Sequence, residues 1–297
     1  MSQSLLDAVE RWTQGIASEM TLAHGSVARY SKIARDHASA CVARGATAWG
    51  EVTADDIRAD MARGGVERAT ARLRLTVIRQ LHAWLEENGL TERNVAVRVR
   101  MPKLAIRTPN VLTLDEVQAL IEACRGTSPF DLRDAALIET AYSTGARASE
   151  LAALELRDID IDRGTAILRQ GKGGKARFVV LGHAAVAAIR QYLDAGRALL
   201  DGDTDEQHLF LSNAHKQLSA MGLWLVIRRR AKKAGIERHV HPHMLRHAFA
   251  AHMVQGGADL RTVQLLLGHA NLATVQVYLQ FDDRWLREAH RRYHPRG

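Results

Sequence analysis

Apolar residues recur at three- and four-residue spacing through the first hundred residues of this chain, and between residues 165 and 181 the period changes. "LLDAVERWTQGI", "SVARYSKIARDHASACVARG", "TADDIRADMARG" and "VERATARLRLTVIRQLHAWLEENGL" each keep one apolar stripe at helical spacing. By contrast, "TAILRQ" (165–170) and "ARFVVL" (176–181) are short β-type runs flanking "GKGGK", the pattern of a hairpin. Helical spacing resumes from about residue 183 and is interrupted near Gly202 and at "HVHP". The expectation is a mainly α chain with a small β-sheet in its second half.

Turn and cap residues divide it further. Thr53 with Asp56 reads as a helix start and Gly89 as a helix stop. "RVRMPKLAIRTPNVL", residues 98–112, has two prolines, four basic residues and no period, which reads as a linker. The expected organisation is a helical domain over 1–100, a linker over 101–111 and a second domain over 112–297. Thr113 and Glu116 open that second domain with a capping-box pattern, and helices are expected at 113–125, 130–144 and 147–154. Trp12, Trp49 and Trp84 are expected in the core of the first domain, one aromatic per helix.

Composition narrows the classes. At 297 residues, with 46% hydrophobic and 25% charged, the chain has room for about two globular domains. No run approaches the ~18 apolar residues of a membrane span, and the N-terminal residues carry no apolar signal core, so a cytoplasmic protein is expected. Cys41 and Cys124 are too few for a disulfide framework and read as reduced, buried thiols. The balance of 41 Lys and Arg against 33 Asp and Glu gives a net charge of +8, which suits a polyanion such as nucleic acid. A solvated helix face fits the same charges equally well. The candidates for contact with a nucleic-acid backbone are Arg68, Arg72 and Arg79, which recur at helical spacing, and Arg228, Arg229, Arg230 and Lys232 of "RRRAKK".

Four segments of the second domain combine reactive side chains with turn chemistry. In "STGARASEL", Gly145 permits an abrupt turn, and Arg147 opens the next helix, where its planar fork suits a phosphate; a cap with a surface ion pair is the plain alternative. Lys172 in "GKGGK" sits on the hairpin tip, where an ordinary exposed lysine is the commoner case, and the segment is no phosphate-binding P-loop. In "HPHMLRHAFAAH", His243 and Arg246 lie three apart on one helical face. His239, His241, His243, His247 and His252 invite a metal reading, but no cysteine lies nearby, HExxH is missing, and Arg246 would repel a cation. Last, "LLLGHANLATVQVYLQ" carries His269 and Tyr278, and a tyrosine with pKa ~10 taken alone is more often a packing residue than a nucleophile.

Together the segments "TGARASEL", "GKGGKAR", "HMLRH", "LGH" and Tyr278 resemble, in order and spacing, the signature of the tyrosine recombinases of the phage-integrase family. The likeness is strong over 112–297 and looser over the first hundred residues, and the tail "LREAHRRYHPRG" is most similar to the Xer subgroup, which resolves chromosome dimers. Ala146 stands where a bulkier apolar residue is usual, and the linker lacks the usual "NP".

What this resemblance implies is a two-domain architecture, a helical core-site-binding domain followed by a catalytic domain. Tyr278 would attack a scissile phosphodiester and form a 3′-phosphotyrosyl link, without ATP, metal or other cofactor. Arg147 and Arg246 would clamp the phosphate, with His269 a further donor. Lys172 would protonate the leaving 5′-oxygen, and His243 would act as base toward Tyr278 or orient it. The implied partners are a double-stranded recombination site and a homo- or hetero-tetramer. Its C-terminal helix, with Trp285, Leu286, Ala289 and Tyr293 on the apolar side, would dock on a neighbouring protomer. A second recombinase and a DNA translocase would follow from a Xer role, and a nucleoid-associated location with them. The alternatives left open are a mobile-element integrase, a type IB topoisomerase and a non-catalytic architectural DNA-binding protein.

Overall fold

The computed structural model describes residues 3–19, 24–62, 68–100, 111–169, 176–202, 204–267 and 283–297. The chain divides into two compact units, Met1–Arg107 and Thr108–Gly297.

The first unit is helical: α1 (Gln3–Glu19), α2 (His24–Val42), α3 (Ala54–Ala62) and α4 (Arg68–Glu87). Its punctuation follows the local chemistry. Thr53 and Asp56 cap α3 reciprocally, Thr53 N–H donating to Asp56 Oδ2 at 2.9 Å and Asp56 N–H to Thr53 Oγ1 at 3.3 Å. Gly89, just past α4, has φ +68°, the left-handed conformation that glycine adopts without strain. Leu5, Val9, Trp12, Trp49, Val77, Leu81 and Leu85 fill the core, and Trp84 is half-buried. A polar cluster is buried with them. His37 Nδ1 lies 3.0 Å from Asp60 Oδ2, and His37 Nε2 lies 3.2 Å from His82 Nε2. Arg74 reaches the other Asp60 oxygen at 3.3 Å. Cys41 packs beside them, its thiol pushed up to about 11 by burial.

The second unit opens with α5 (Leu114–Glu122), capped by Thr113 and Glu116 as the sequence predicts, Thr113 N–H donating to Glu116 Oε2 at 2.8 Å. Next come α6 (Pro129–Thr144) and the short α7 (Ala148–Ala152). A three-stranded antiparallel sheet follows in the order β1 (Ile159–Asp160), β2 (Thr165–Leu168), β3 (Arg177–Val180). The β2–β3 hairpin is the expected one, with Thr165 opposite Val180 and Leu168 opposite Arg177. Strand β1 was not legible, because its two residues are too few to show a period. Then come α8 (His183–Tyr192), α9 (Ala198–Asp201), α10 (Ala220–Lys233), α11 (Pro242–Gln255), α12 (Leu260–Leu266) and α13 (Asp283–Tyr293).

Helix α6 is buried on nearly every side, including Leu137, Ile138, Ala141 and Tyr142, so it is the pillar against which the other helices pack. Its C-terminal end and the start of α7 present the turn that carries Arg147.

Helix α13 packs on its own unit through Leu286 and Ala289. His290 Nε2 donates to Ser143 O at 2.8 Å, and Arg296 Nε donates to Glu139 Oε2 at 3.0 Å. Burial holds the His290 imidazole down at about 4 and that of His294 at about 2. Trp285, expected on the apolar side, stands four residues before Ala289 on the same face and is 36% exposed. No described helix is long and apolar enough to cross a membrane.

Candidate active site

Gly145 is the pivot of the site. It ends α6 with φ +57°, and an added Cβ would lie 2.7 Å from Leu267 Cδ2 and 2.9 Å from Phe249 Cδ1. Only glycine makes this turn and admits that close approach. Two residues later, Arg147 stands at the N-cap of α7 and is half-buried.

Arg147 is held from below. Its Nη1 donates to Glu150 Oε1 at 2.6 Å, and its backbone N–H donates to Glu150 Oε2 at 2.8 Å. The Glu150 side chain is wholly buried and also receives Arg177 Nη2 at 2.8 Å. Burial alone would raise the Glu150 carboxyl, but Arg177 and Arg147 together hold it below the usual carboxylate range. It is therefore ionised at neutral pH.

Arg246 arrives from α11, ninety-nine positions further along the chain from Arg147. It is 7% exposed and donates from Nη1 to Gly145 O and from Nη2 to Leu267 O at 3.0 Å. It thus closes the Gly145 turn while fastening the C-terminal end of α12. Burial, with Arg177 and Arg147 nearby, pulls its pKa down to about 10, so it still carries its charge at neutral pH. Arg147 and Arg177 share the Glu150 carboxylate, and Arg246 lies near enough to feel the charge of all three. A cluster so rich in guanidinium groups suits a phosphate.

His243 sits in the first turn of α11, after Pro242, and is exposed. Partial desolvation, then the proximity of His247, Arg246 and Arg147, lowers its pKa, so the ring is neutral at physiological pH. A neutral imidazole beside two arginines can accept a proton or orient a hydroxyl. Among the described residues no group of three or more His, Cys, Asp or Glu is placed to hold a metal ion.

Of the six residues singled out for chemistry, Arg147, His243 and Arg246 are thus brought together. Lys172, His269 and Tyr278 lie outside the described residues. Sequence reasoning missed Glu150 and Arg177, although both stand inside the quoted segments "TGARASEL" and "GKGGKAR". An acid three residues after Arg147 was the available signal.

The seven nucleic-acid candidates separate by environment. Arg72 and Lys232 are exposed, and Arg228 is exposed and stacked over Trp224 at 5.2 Å. Arg229 is largely exposed but reaches Asp134 at 2.8 Å. Arg79 is half-buried and donates to the carbonyls of Ala96 and Val99 at 3.3 and 2.7 Å. Arg230 is 5% exposed. It is ion-paired to Asp134 at 2.7 Å and Asp131 at 2.8 Å and bonded to Ala123 O at 3.0 Å. These contacts turn Arg79 and Arg230 inward. The Arg68 side chain lies outside the described part.

Comparison with known proteins fits this geometry. The profile of the phage integrase family matches residues 110–284. Tyrosine recombinase XerD of Mycobacterium tuberculosis is 39% identical, with 96% of this chain and 97% of that one covered. Tyrosine recombinase XerC of Alcanivorax borkumensis is 36% identical over 100% of this chain and 96% of that one. Among solved structures, a lambda integrase tetramer bound to a Holliday junction shares the fold with a TM-score of 0.68 at 19% identity, covering 89% of this chain and 77% of that one. The chain belongs to the phage integrase family. Within it this is a tyrosine recombinase, an enzyme that breaks and rejoins DNA.

Proposed function

We propose that the protein is a Xer-type site-specific recombinase that resolves chromosome or plasmid dimers, with Tyr278 as its nucleophile. The observation that carries this reading is the meeting of Arg147 and Arg246 around the Gly145 turn, with Glu150 buried beneath them. In the proposed reaction the Tyr278 oxygen attacks phosphorus and the bond to the 5′-oxygen breaks. That oxygen leaves as a hydroxyl after taking a proton from Lys172, while His243 receives or orients the Tyr278 proton. The 3′-phosphotyrosyl link conserves the bond energy, so a second 5′-hydroxyl reseals the strand by the reverse step. Charge builds on the non-bridging oxygens in the transition state. There Arg147, Arg246 and His269 act most strongly, because fixed cations need no reorganisation at the moment of reaction.

In this reading residues 1–100 grip the core site together with the catalytic domain, 112–297. The exposed cations Arg72, Arg228 and Lys232 contact the DNA backbone. Helix α13, docked on its own unit here, exchanges onto a neighbouring protomer in a homo- or hetero-tetramer on two duplexes. The protein then works in the cytoplasm on the nucleoid.

The test is covalent trapping. Full-length protein is incubated in EDTA with nicked suicide duplexes carrying a site library and run on a denaturing gel beside Tyr278→Phe. The expected result is an adduct in the wild type and none in the variant, with the site read by sequencing the trapped DNA. An adduct that persists in Tyr278→Phe overturns the mechanism.

A further inference from the structure

Arg177 is the first residue of β3, and its buried side chain joins three segments that are distant in sequence. Its Nη2 donates to Glu150 Oε2 at 2.8 Å and its Nη1 to Leu266 O at 2.9 Å, on the last turn of α12. The other Glu150 oxygen holds Arg147. Its Nε is buried with no hydrogen-bond partner among the described residues. Leu168 pairs with it across the hairpin, so the β2–β3 ladder fixes its backbone.

We propose that Arg177 is a positioning residue for strand cleavage, acting on the phosphate through Glu150 and Arg147. The inference rests on the recombinase reading above.

Three observations carry it. First, a buried guanidinium is expensive to desolvate, and an apolar residue would fill the loop end of the hairpin ladder at least as well, so packing alone does not explain an arginine here. Second, Glu150 shared by two arginines cannot neutralise either. With Arg177 present, Glu150 divides its charge between Arg147 and Arg177, so Arg147 keeps more of its own for a phosphate. Without Arg177, Glu150 would be left to Arg147 alone, and its whole charge would offset that one guanidinium. Third, the planar fork spans a carboxylate and a carbonyl at once, which the single ammonium of a lysine cannot do. Arg177 therefore sets where Arg147 stands and how much of its charge is available, without itself touching substrate.

The test is a double-mutant cycle on the full-length protein, using a duplex site selected by trapping with the wild type. Adduct formation and DNA affinity are measured for wild type, Arg177→Gln, Arg177→Lys, Arg147→Ala and Arg147→Ala/Arg177→Gln. Arg177→Gln is expected to slow adduct formation by about 100-fold, the scale of a lost transition-state donor. Its DNA affinity should stay within about threefold of wild type, since a donor felt only in the transition state leaves ground-state binding unchanged. Arg177→Lys should fall between the two and serves as the informative variant if Arg177→Gln folds poorly. The double variant should be no slower than Arg147→Ala alone, because the second change acts through a residue already missing. Three results overturn the proposal: a cleavage rate within about threefold of wild type in Arg177→Gln, additive losses in the cycle, or a loss matched by equal loss of DNA affinity. A wild type that forms no Tyr278-dependent adduct sinks the underlying recombinase reading instead, and is told apart by that one lane.

Discussion

Arg246 Nη2 donates to the carbonyl of Leu267 at 3.0 Å, one residue beyond the carbonyl of Leu266 that Arg177 caps at 2.9 Å. Two arginines from different elements thus fasten the last turn of α12, where a helix leaves its final carbonyls unpaired and its dipole favours cations. The chain from that turn leads directly to "GH" at 268–269. Arg246, proposed to clamp the phosphate, therefore also holds the fold at this turn.

Arg246→Lys follows from this. A lysine keeps the charge but cannot serve the Gly145 and Leu267 carbonyls together with a phosphate. Adduct formation should fall by ~10²–10³, the scale of a lost transition-state donor. Thermal unfolding should report a loss of about 1–3 kcal/mol from a buried carbonyl left unpaired. Stopped-time gels and a melting curve check both. A variant that keeps full stability while losing cleavage would show that the two carbonyl bonds do not matter to the fold.

Much of this was legible in the sequence, and most of what was not concerns pairing over long distances in the chain. The caps at Thr53 and Thr113, the Gly145 turn and the β2–β3 hairpin are set by neighbours within a few residues, and each came out as the pattern predicts. Apart from the two-residue β1 and from Glu150, three positions from Arg147, the misses are charges whose partners lie far away in the chain. Arg230 looks like the rest of "RRRAKK", yet its partner Asp134 is 96 positions away. Arg177 looks like an exposed hairpin residue until Glu150, 27 positions distant, meets it. His37, Asp60 and His82 give no periodic sign of their pairing either. A charged side chain reads the same in sequence whether solvated or buried against a partner.

That contrast makes the basic run of α10 a direct test. Asp134 has a wholly buried side chain and receives Arg133 on one oxygen and Arg229 and Arg230 on the other, at 2.8 and 2.7 Å from the latter two. Arg230→Met removes one partner of a buried carboxylate and should destabilise by about 3–5 kcal/mol. Arg228→Ala breaks only an exposed stack on Trp224 and should leave the melting temperature nearly unchanged. If Arg228 touches a phosphate, its loss should also shallow the salt dependence of DNA binding by about one unit of slope. Urea unfolding and salt titrations of DNA affinity separate the two residues. Equal stability of the two variants would contradict the buried network.

The polar core of the first unit gives the last prediction, on acid sensitivity. The His82 ring is fully buried, with Nε2 against His37 Nε2 and Nδ1 without a partner among the described residues. Burial, reinforced by His37, lowers its pKa from 6.5 to about 3. The sign is then fixed. Below pH 6.5 the unfolded chain takes up a proton that the folded unit refuses, so this group's stability is complete above 6.5 and is lost progressively as pH falls toward 3. The slope is about 1.4 kcal/mol per pH unit within that window. Amide exchange over α2 and α4 between pH 7.5 and 5, corrected for intrinsic exchange, measures it locally in the intact protein. Protection should decline with acid in the wild type and decline less in His82→Phe, which carries no titrating ring. A decline of equal steepness in the variant would mean that the acid sensitivity of this unit arises elsewhere.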